Sequence, residues 1–361
     1  MKRRDFLKKA GIGAVAASTV YGPVFAQTGG PRIRWRMATS WPRSLDTIFG
    51  GAETVAKRVN EMTEGRFQIT AFPAGEIAPA LEILNVVRQG NVEMGHTASY
   101  YYVGQNPSTA FDTSLPFGLT APQQNAWLYY GGGLEAMQRM FTDFNLINFP
   151  AGNTGAQMGG WFKKEVQDAG DLRGLKFRIP GLGAQVWSRL GVSTQNIPGG
   201  EIFLALDRGA IDAAEWVGAY DDSRLGLQRA ARFYYYPGWW EPGPTLSVYI
   251  NLAKWRELPK DYQEIVKSAA AEANVTMLAE YDAKNGPAFT QLIQGGTQLR
   301  AYPRSILLAA ERASTELYDE IASRDAAYRG ILTGWRRFRD QVRRANAFNE
   351  NSFADFIYSV R

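Results

Sequence analysis

Arg32-Ile33-Arg34-Trp35-Arg36-Met37-Ala38-Thr39-Ser40-Trp41-Pro42 decides the fold. Polar and apolar side chains alternate over 32–37, the period of a strand, and Pro42 takes the chain into a loop. Helical spacing follows from Leu45 to Met62 and stops at Gly65. Phe67 to Phe72 reads as a second strand, Leu81 to Val87 as a short helix closed by Gly90, and Val92 to Tyr101 as a third strand. Strands alternating with helices predict parallel sheets and an α/β fold. Ligands of such sheets sit beyond the carboxyl ends of the strands, which puts Thr39-Ser40-Trp41 and Tyr100-Tyr101-Tyr102 beside any site.

Outward from that stretch, the chain is 361 residues long, more than one hydrophobic core usually supports, so two lobes are expected. Towards the N-terminus, Arg3-Arg4 precedes a weakly apolar run from Ala10 to Val20 and the small-residue site Val24-Phe25-Ala26. That order predicts a twin-arginine signal peptide over residues 1–26 and export to the periplasm. The run is too short and too rich in Gly and Ala for a membrane span. Five basic residues against Asp5 place +4 of the +5 net charge in this segment, so the remainder carries only +1 and nucleic acid is not an expected partner. With no cysteine, disulfides, thiolate metal sites and cysteine nucleophiles are excluded. With one histidine, His96, nearly all histidine-based catalysis goes as well, and its apolar neighbours predict a hydrogen-bonded core or cleft-wall residue.

Towards the C-terminus, Asn125 to Phe141 reads as a helix bent at Gly131-Gly132-Gly133, which is no phosphate loop because no Lys-Ser/Thr follows. Leu146 to Pro150 looks like a strand leaving the first lobe, and Gly152-Asn153-Thr154-Gly155 a flexible turn leading to Gln157. Lys176 to Ile179 alternates as a strand with Arg178 at its exit, and Gly181-Leu182-Gly183 reads as a helix-entry turn. Glu201 to Arg208 is helical, and Ile211 to Trp216 a strand that ends in Glu215 and Trp216. The run Phe233 to Glu241 is too aromatic for an ordinary loop, and either packs between lobes or walls a cavity into which Glu241 points. Beyond Trp255 the chain is mostly helical: Tyr262 to Tyr281, a span after Pro287, a short strand near Gln298 to Ala301, and Ser305 to Tyr328. In the last helix Ile331, Trp335, Phe338, Val342, Ala345 and Phe348 form one apolar face, with five arginines mostly off it. Such a helix can pack on its own lobes or on a second subunit, giving a homodimer. The expected division is lobe I over 27–150 with later segments returning to it, lobe II over 151–250, and helical segments over 251–361 completing both.

The segments Leu172 to Pro180, Leu190-Gly191-Val192 and Glu201 to Glu215 resemble the solute-binding subunits of TRAP transporters, the tripartite ATP-independent periplasmic carriers, and the resemblance covers essentially the whole mature chain. Gly152 to Phe162, Glu215 to Asp222 and Tyr234 to Glu241 are most similar to the subgroup that binds 2-oxo acids. The resemblance implies a two-lobed periplasmic-binding-protein-like fold with the ligand cleft between the lobes and long C-terminal helices. It implies binding of a small monocarboxylate such as pyruvate and delivery to a membrane permease, with no enzymatic turnover. By resemblance Arg178 takes the ligand carboxylate, helped by Gln157, Asn153, Tyr101 and Trp216. Gln157, Glu215, Glu241 and the backbone carbonyl of Trp216 surround a metal ion, Na⁺ with Ca²⁺ as the alternative. A planar guanidinium matches a carboxylate, and hard ions choose oxygen donors. Two rivals stay open: a 2-hydroxy acid such as lactate bound as a calcium salt, and an exported enzyme using Glu215 or Glu241 as general base.

Overall fold

The computed structural model describes residues 30–360, so the signal peptide expected over 1–26 lies outside the described residues. Among the described residues there are eleven strands: β1 Ile33–Thr39, β2 Phe67–Phe72, β3 Met94–Thr97, β4 Leu146–Asn153, β5 Trp161–Phe162, β6 Lys176–Arg178, β7 Ser193–Gln195, β8 Ala213–Ala214, β9 Phe233–Tyr236, β10 Thr245–Asn251 and β11 Gln298–Ala301. They form two sheets, β2-β1-β3-β10-β4 and β11-β9-β5-β8-β6-β7, one for each lobe of an α/β two-lobed binding-protein fold. Both lobes belong to one compact unit, Arg32–Arg361.

The parallel pairing expected from the strand–helix alternation holds for β1 with β2 and β3, and for β6 with β7 and β8. It fails where the chain changes lobe. β10 runs antiparallel between β3 and β4, and β5 runs antiparallel between β8 and β9. A strand that enters a sheet straight from the other lobe has no crossover helix to turn it round, so it pairs antiparallel.

Three segments therefore pass between the sheets: 153–161 from β4 to β5, 236–245 from β9 to β10, and the helix Lys260–Gln294 from the first sheet towards β11. The first two are bonded to each other, Thr154 N–H donating to Pro244 O at 3.2 Å, Gln157 N–H to Glu241 O at 3.1 Å and Gly238 N–H to Gln157 O at 3.0 Å. Their approach is so close that a Cβ on Gly238 would lie 2.5 Å from Met158 O. Glycine at 238 is what allows the two crossings to touch.

Four sequence expectations change. Tyr100 to Tyr102 do not end a strand, because β3 stops at Thr97 and Ser99–Tyr102 is a 3₁₀ turn. Pro287 does not divide the helix, which runs unbroken from Lys260 to Gln294 with the proline ring on its exposed side. A proline inside a helix removes one backbone bond at a cost of about 3 kcal/mol; buried Ala270, Ala273, Met277 and Tyr281 before it and Ala288 and Leu292 after it offset that. The helix expected to run from Ser305 to Tyr328 ends at Arg324, and Asp325 caps the next, Ala326–Phe348, by accepting from Tyr328 N–H at 3.0 Å. The apolar face expected along that helix is covered at Trp335 but not at Phe348, which is 87% exposed, and a further helix, Glu350–Ser359, follows it.

No helix of the described residues is long and apolar enough to cross a membrane.

Candidate functional site

Arg178 is the last residue of β6, which lies between β8 and the edge strand β7 of the second sheet. The side chain is 1% exposed. Nε donates to Ile197 O at 2.9 Å, and Nη1 donates to Glu215 O at 2.9 Å and to the Glu215 carboxylate. Nη2 has no partner. The guanidinium lies 5.3 Å from the Trp216 ring, a cation–π contact that helps hold it in place.

Glu215 follows β8, and its N–H is fixed on Arg178 O at 3.2 Å. One carboxylate oxygen faces Arg178, and the other, Oε2, is buried without a partner. Glu241 comes from the second crossing and accepts from Tyr100 OH at 3.3 Å. Gln157 comes from the first; its Nε2 donates to Thr154 Oγ1 at 3.1 Å, and its Oε1 is buried without a partner. Tyr101 approaches from the first lobe, close enough to Arg178 for the guanidinium charge to act on its hydroxyl.

Burial pushes Glu215 up to about 7 against the pull of the Arg178 charge. Burial, and then the charge of Glu215, push Glu241 well above the ordinary carboxylate range. One guanidinium thus faces two carboxylates out of water, and with both ionised the enclosure lacks one positive charge. Such a deficit is costly in a buried setting unless a proton or a cation makes it up.

Trp41, Ile48, Tyr100, Tyr101, Thr154, Gln157, Arg178, Trp216, Val217 and Leu246 enclose a small cavity at this point, with about 10 Å³ of room for the centre of a water molecule. Among the described residues no cluster of three or more His, Asp or Glu could hold a metal ion. An ion here would need amide and carbonyl oxygens beside the carboxylates, a donor set suited to a hard cation. The orphaned oxygens of Gln157 and Glu215 fit that requirement, since a buried polar atom without a partner is rare in a folded chain.

The residues expected at the site are therefore brought together, apart from Asn153. Its Nδ2 donates to Gly243 O at 3.2 Å and Thr245 Oγ1 at 3.3 Å, and its Oδ1 accepts from Gly155 N–H at 2.9 Å. The side chain braces the lobe crossing and does not line the cavity; its position in a Gly-rich turn could not reveal that backbone donors would consume it. His96 is a wall residue, as its neighbours suggest: Trp41 Nε1 donates to its Nδ1 at 2.7 Å and its Nε2 meets Ala151 O at 3.1 Å. Burial pushes it down to about 4, so it is neutral and holds Trp41 in the cavity wall. Thr154, Ile48, Val217 and Leu246 were not singled out from the sequence. Ile48 and Leu246 in particular carry no local signal, being apolar positions of a helix and a strand like any other.

A family model, bacterial extracellular solute-binding protein family 7 (DctP), matches residues 37–325. A monocarboxylate 2-oxoacid-binding periplasmic protein of Nostoc sp. is 59% identical over 99% of this chain and 100% of its own length. A TRAP transporter solute-binding protein of Bordetella bronchiseptica, solved as a mixed-occupancy dimer with copurified calcium and picolinate in one site, is 42% identical with a TM-score of 0.91, covering 92% of this chain and 98% of that one. A TRAP periplasmic solute-binding protein of Pseudoalteromonas atlantica, solved with sodium and pyruvate, is 38% identical with a TM-score of 0.87, covering 90% of this chain and 99% of that one. One of Colwellia psychrerythraea, solved with calcium and pyruvate, matches equally well. The chain belongs to bacterial extracellular solute-binding protein family 7, the DctP family of TRAP transporter solute-binding proteins.

Proposed function

We propose that this protein is the periplasmic receptor for a small 2-oxo monocarboxylate such as pyruvate, which it binds together with a Na⁺ or Ca²⁺ ion and hands to a TRAP membrane permease. The observation that carries the reading is a pair of unpartnered buried atoms on the wall of one small cavity, Arg178 Nη2 and Gln157 Oε1, beside a third, Oε2 of the Glu215 that is paired with Arg178. A free guanidinium nitrogen is a donor for a carboxylate, and two free oxygens are ligands for a cation. Arg178 would hold the acid, while Glu215, Gln157, Glu241 and the Trp216 carbonyl would hold the ion. When bound, the ion would supply positive charge, which in Ca²⁺ balances both the deficit and the ligand's own carboxylate and in Na⁺ leaves one negative charge to a proton, and a Lewis-acidic centre for the ketone and carboxylate oxygens of the ligand. Likeness to the Nostoc 2-oxoacid-binding protein and to the pyruvate-bound structures supports the same ligand class.

The two crossings and the long helix are the natural hinge between the lobes assigned to 27–150 and 151–250, with β10 returning to the first. Closure excludes water and strengthens the Arg178 contact. Export by the twin-arginine route rests on the N-terminal sequence. Binding without turnover is supported by the lack of cysteine and by a single histidine spent on Trp41 and Ala151. The C-terminal helices are proposed to join two copies of the chain.

Calorimetric titration of the mature, ligand-stripped protein with pyruvate and with lactate tests this, each in sodium, in calcium and in chelated sodium-free buffer. Pyruvate binding that requires one of the cations is the expected result, with the acid recovered unchanged. Lactate binding in preference would move the ligand to the 2-hydroxy acids, and silence with both acids would remove the proposed ligand class.

A further inference from the structure

The elements that wall the cavity meet a second time outside it. Asp46 and Ile48 share the first turn of the helix Asp46–Met62 in the first lobe, and Trp216 and Val217 run into the helix Ala219–Leu225 of the second. Ile48, Trp216 and Val217 face the cavity, whereas Asp46, Tyr220 and Arg224 lie away from it, towards the surface. There the lobes are bonded to each other. Arg224 donates to Ser44 O through Nε at 2.8 Å and through Nη2 at 2.6 Å, and its Nε stands 3.3 Å from Asp46 Oδ1. Tyr220 OH donates to the same carboxylate, 3.0 Å from each oxygen. Lys284 Nζ donates to Asp46 Oδ2 at 3.0 Å and to Thr47 Oγ1 at 3.2 Å. The ring of Tyr220 lies 4.6 Å from the Lys284 ammonium and 5.5 Å from the Arg224 guanidinium, so these three groups also support one another.

Lys284 belongs with the second lobe although it stands on the long helix Lys260–Gln294. Met277 of that helix packs on the first lobe so closely that a Cβ on Gly51 would lie 2.2 Å from its Cε. One turn later Tyr281 OH donates to Asp221 at 2.8 Å, and Asn285 Oδ1 accepts from Tyr220 N–H at 3.1 Å. The helix thus changes lobes between Met277 and Tyr281, and Lys284 is tied to Ala219–Leu225.

We infer that Ser44 and Asp46 of the first lobe, with Tyr220, Arg224 and Lys284 of the second, form a latch that holds the lobes closed and sets how slowly a bound ligand leaves. None of the five lines the cavity, so the latch acts on closure and not on the fit of the ligand. A single exposed ion pair contributes little. Here one carboxylate takes two cations and a hydroxyl, and one guanidinium grips a carbonyl with two nitrogens. Bonds of this length are lost once the lobes part by about 1 Å. The contacts therefore break together on opening, and their contribution falls on release and not on capture.

The test follows pyruvate and so rests on the receptor reading above. On the parent, Asp46→Asn, Arg224→Gln and the double variant, capture is followed by stopped-flow tryptophan fluorescence in sodium buffer. Release is followed by reduction of the freed acid with excess lactate dehydrogenase and NADH. Each single variant should release pyruvate at least about threefold faster, as several weak contacts are lost at once, with capture within about twofold of the parent. The double variant should release more slowly than the product of the two single effects, because both remove one shared contact. Raising ionic strength with choline chloride at fixed sodium should quicken release from the parent more than from Asp46→Asn. Release unchanged in both single variants, or a loss of affinity that lies in capture alone, would overturn the latch. A parent that binds no pyruvate would overturn the receptor reading instead; small-angle scattering of the parent and Asp46→Asn then decides the latch, with identical profiles counting against it.

Discussion

Arg178 holds three acceptors and still keeps one nitrogen free, which the three donors of a lysine ammonium could not do. Nε and Nη1 are committed to Ile197 O and Glu215, which leaves Nη2 as the one donor for a ligand. Lysine would bring a point charge with no such division of labour. Arg178→Lys should accordingly weaken pyruvate binding at least tenfold, about 1.4 kcal/mol, in a calorimetric titration; unchanged affinity would remove the anchor role. Glu215→Gln keeps the shape but deletes one of the two negative charges around the cavity. Binding should weaken and lose most of its dependence on sodium or calcium concentration. A variant that binds normally in chelated, sodium-free buffer would end the case for the cation. The charged residues were legible in the sequence because each stands at a strand exit or in an aromatic, Gly-rich setting where a polar group has no ordinary reason to be. Ile48 and Leu246 were not, because they meet only when β10 crosses back to pair with β3, at positions about 150 apart in the chain, and with β4, at positions about 100 apart.

The 3₁₀ turn Ser99–Tyr102 presents Tyr100 and Tyr101 to the site, and the element owes its position to a buried carboxylate behind it. Asp112 accepts from Ser99 Oγ, from Ser247 Oγ at 2.8 Å and from Asn148 Nδ2 at 2.7 Å. Asn148 Oδ1 beside it has no partner, and a proton on Asp112 would supply one if the amide turned over. Burial pushes Asp112 up to about 6 although all three neighbours pull it down. The folded chain thus binds this proton more tightly than the unfolded one, whose carboxyl titrates near 4. The stabilisation is fully present below about pH 4 and is lost as pH rises through 6, a difference of about 3 kcal/mol for this group. Asp112→Asn should flatten that part of the profile in denaturant titrations between pH 4 and 7, and leave the protein at least as stable as the parent at pH 8. An unaltered slope would place the pH dependence elsewhere. No sequence pattern marks Asp112, since its partners come from three different elements. The element types themselves were mostly legible from their periods. The errors fell where a long-range contact overrides a local signal, as at Tyr100, at Pro287 and at the antiparallel β5 and β10.

At the scale of the molecule, the helix Glu350–Ser359 is only lightly covered, with Ala354 and Ile357 half-buried. Glu350–Ser359 has no fully buried residue, and Phe348, Phe353 and Phe356 are 87%, 68% and 64% exposed. The arginines of the preceding helix are largely spent on the chain itself, Arg336 on Asp319 at 2.6 Å and Arg343 on Phe117 O at 2.6 Å, so that helix is anchored while the last one is not. Three rings of this size offer roughly 400 Å² of apolar area per chain. A stable interface buries roughly 800 Å² per partner, so the rings need the exposed Arg337, Arg344, Glu350 and Asp355 around them to complete one. The proposed second copy would supply both rings and complementary charges. Sedimentation should show the full mature chain as a dimer at micromolar concentration and a chain ending at Asn349 as a monomer. Because the removed helix has no fully buried residue, the shortened chain should keep its pyruvate affinity within about twofold. Equal masses for the two chains would put the contact between copies on another face, whereas a monomer that also lost pyruvate binding would mean that the helix supports the cavity from a distance.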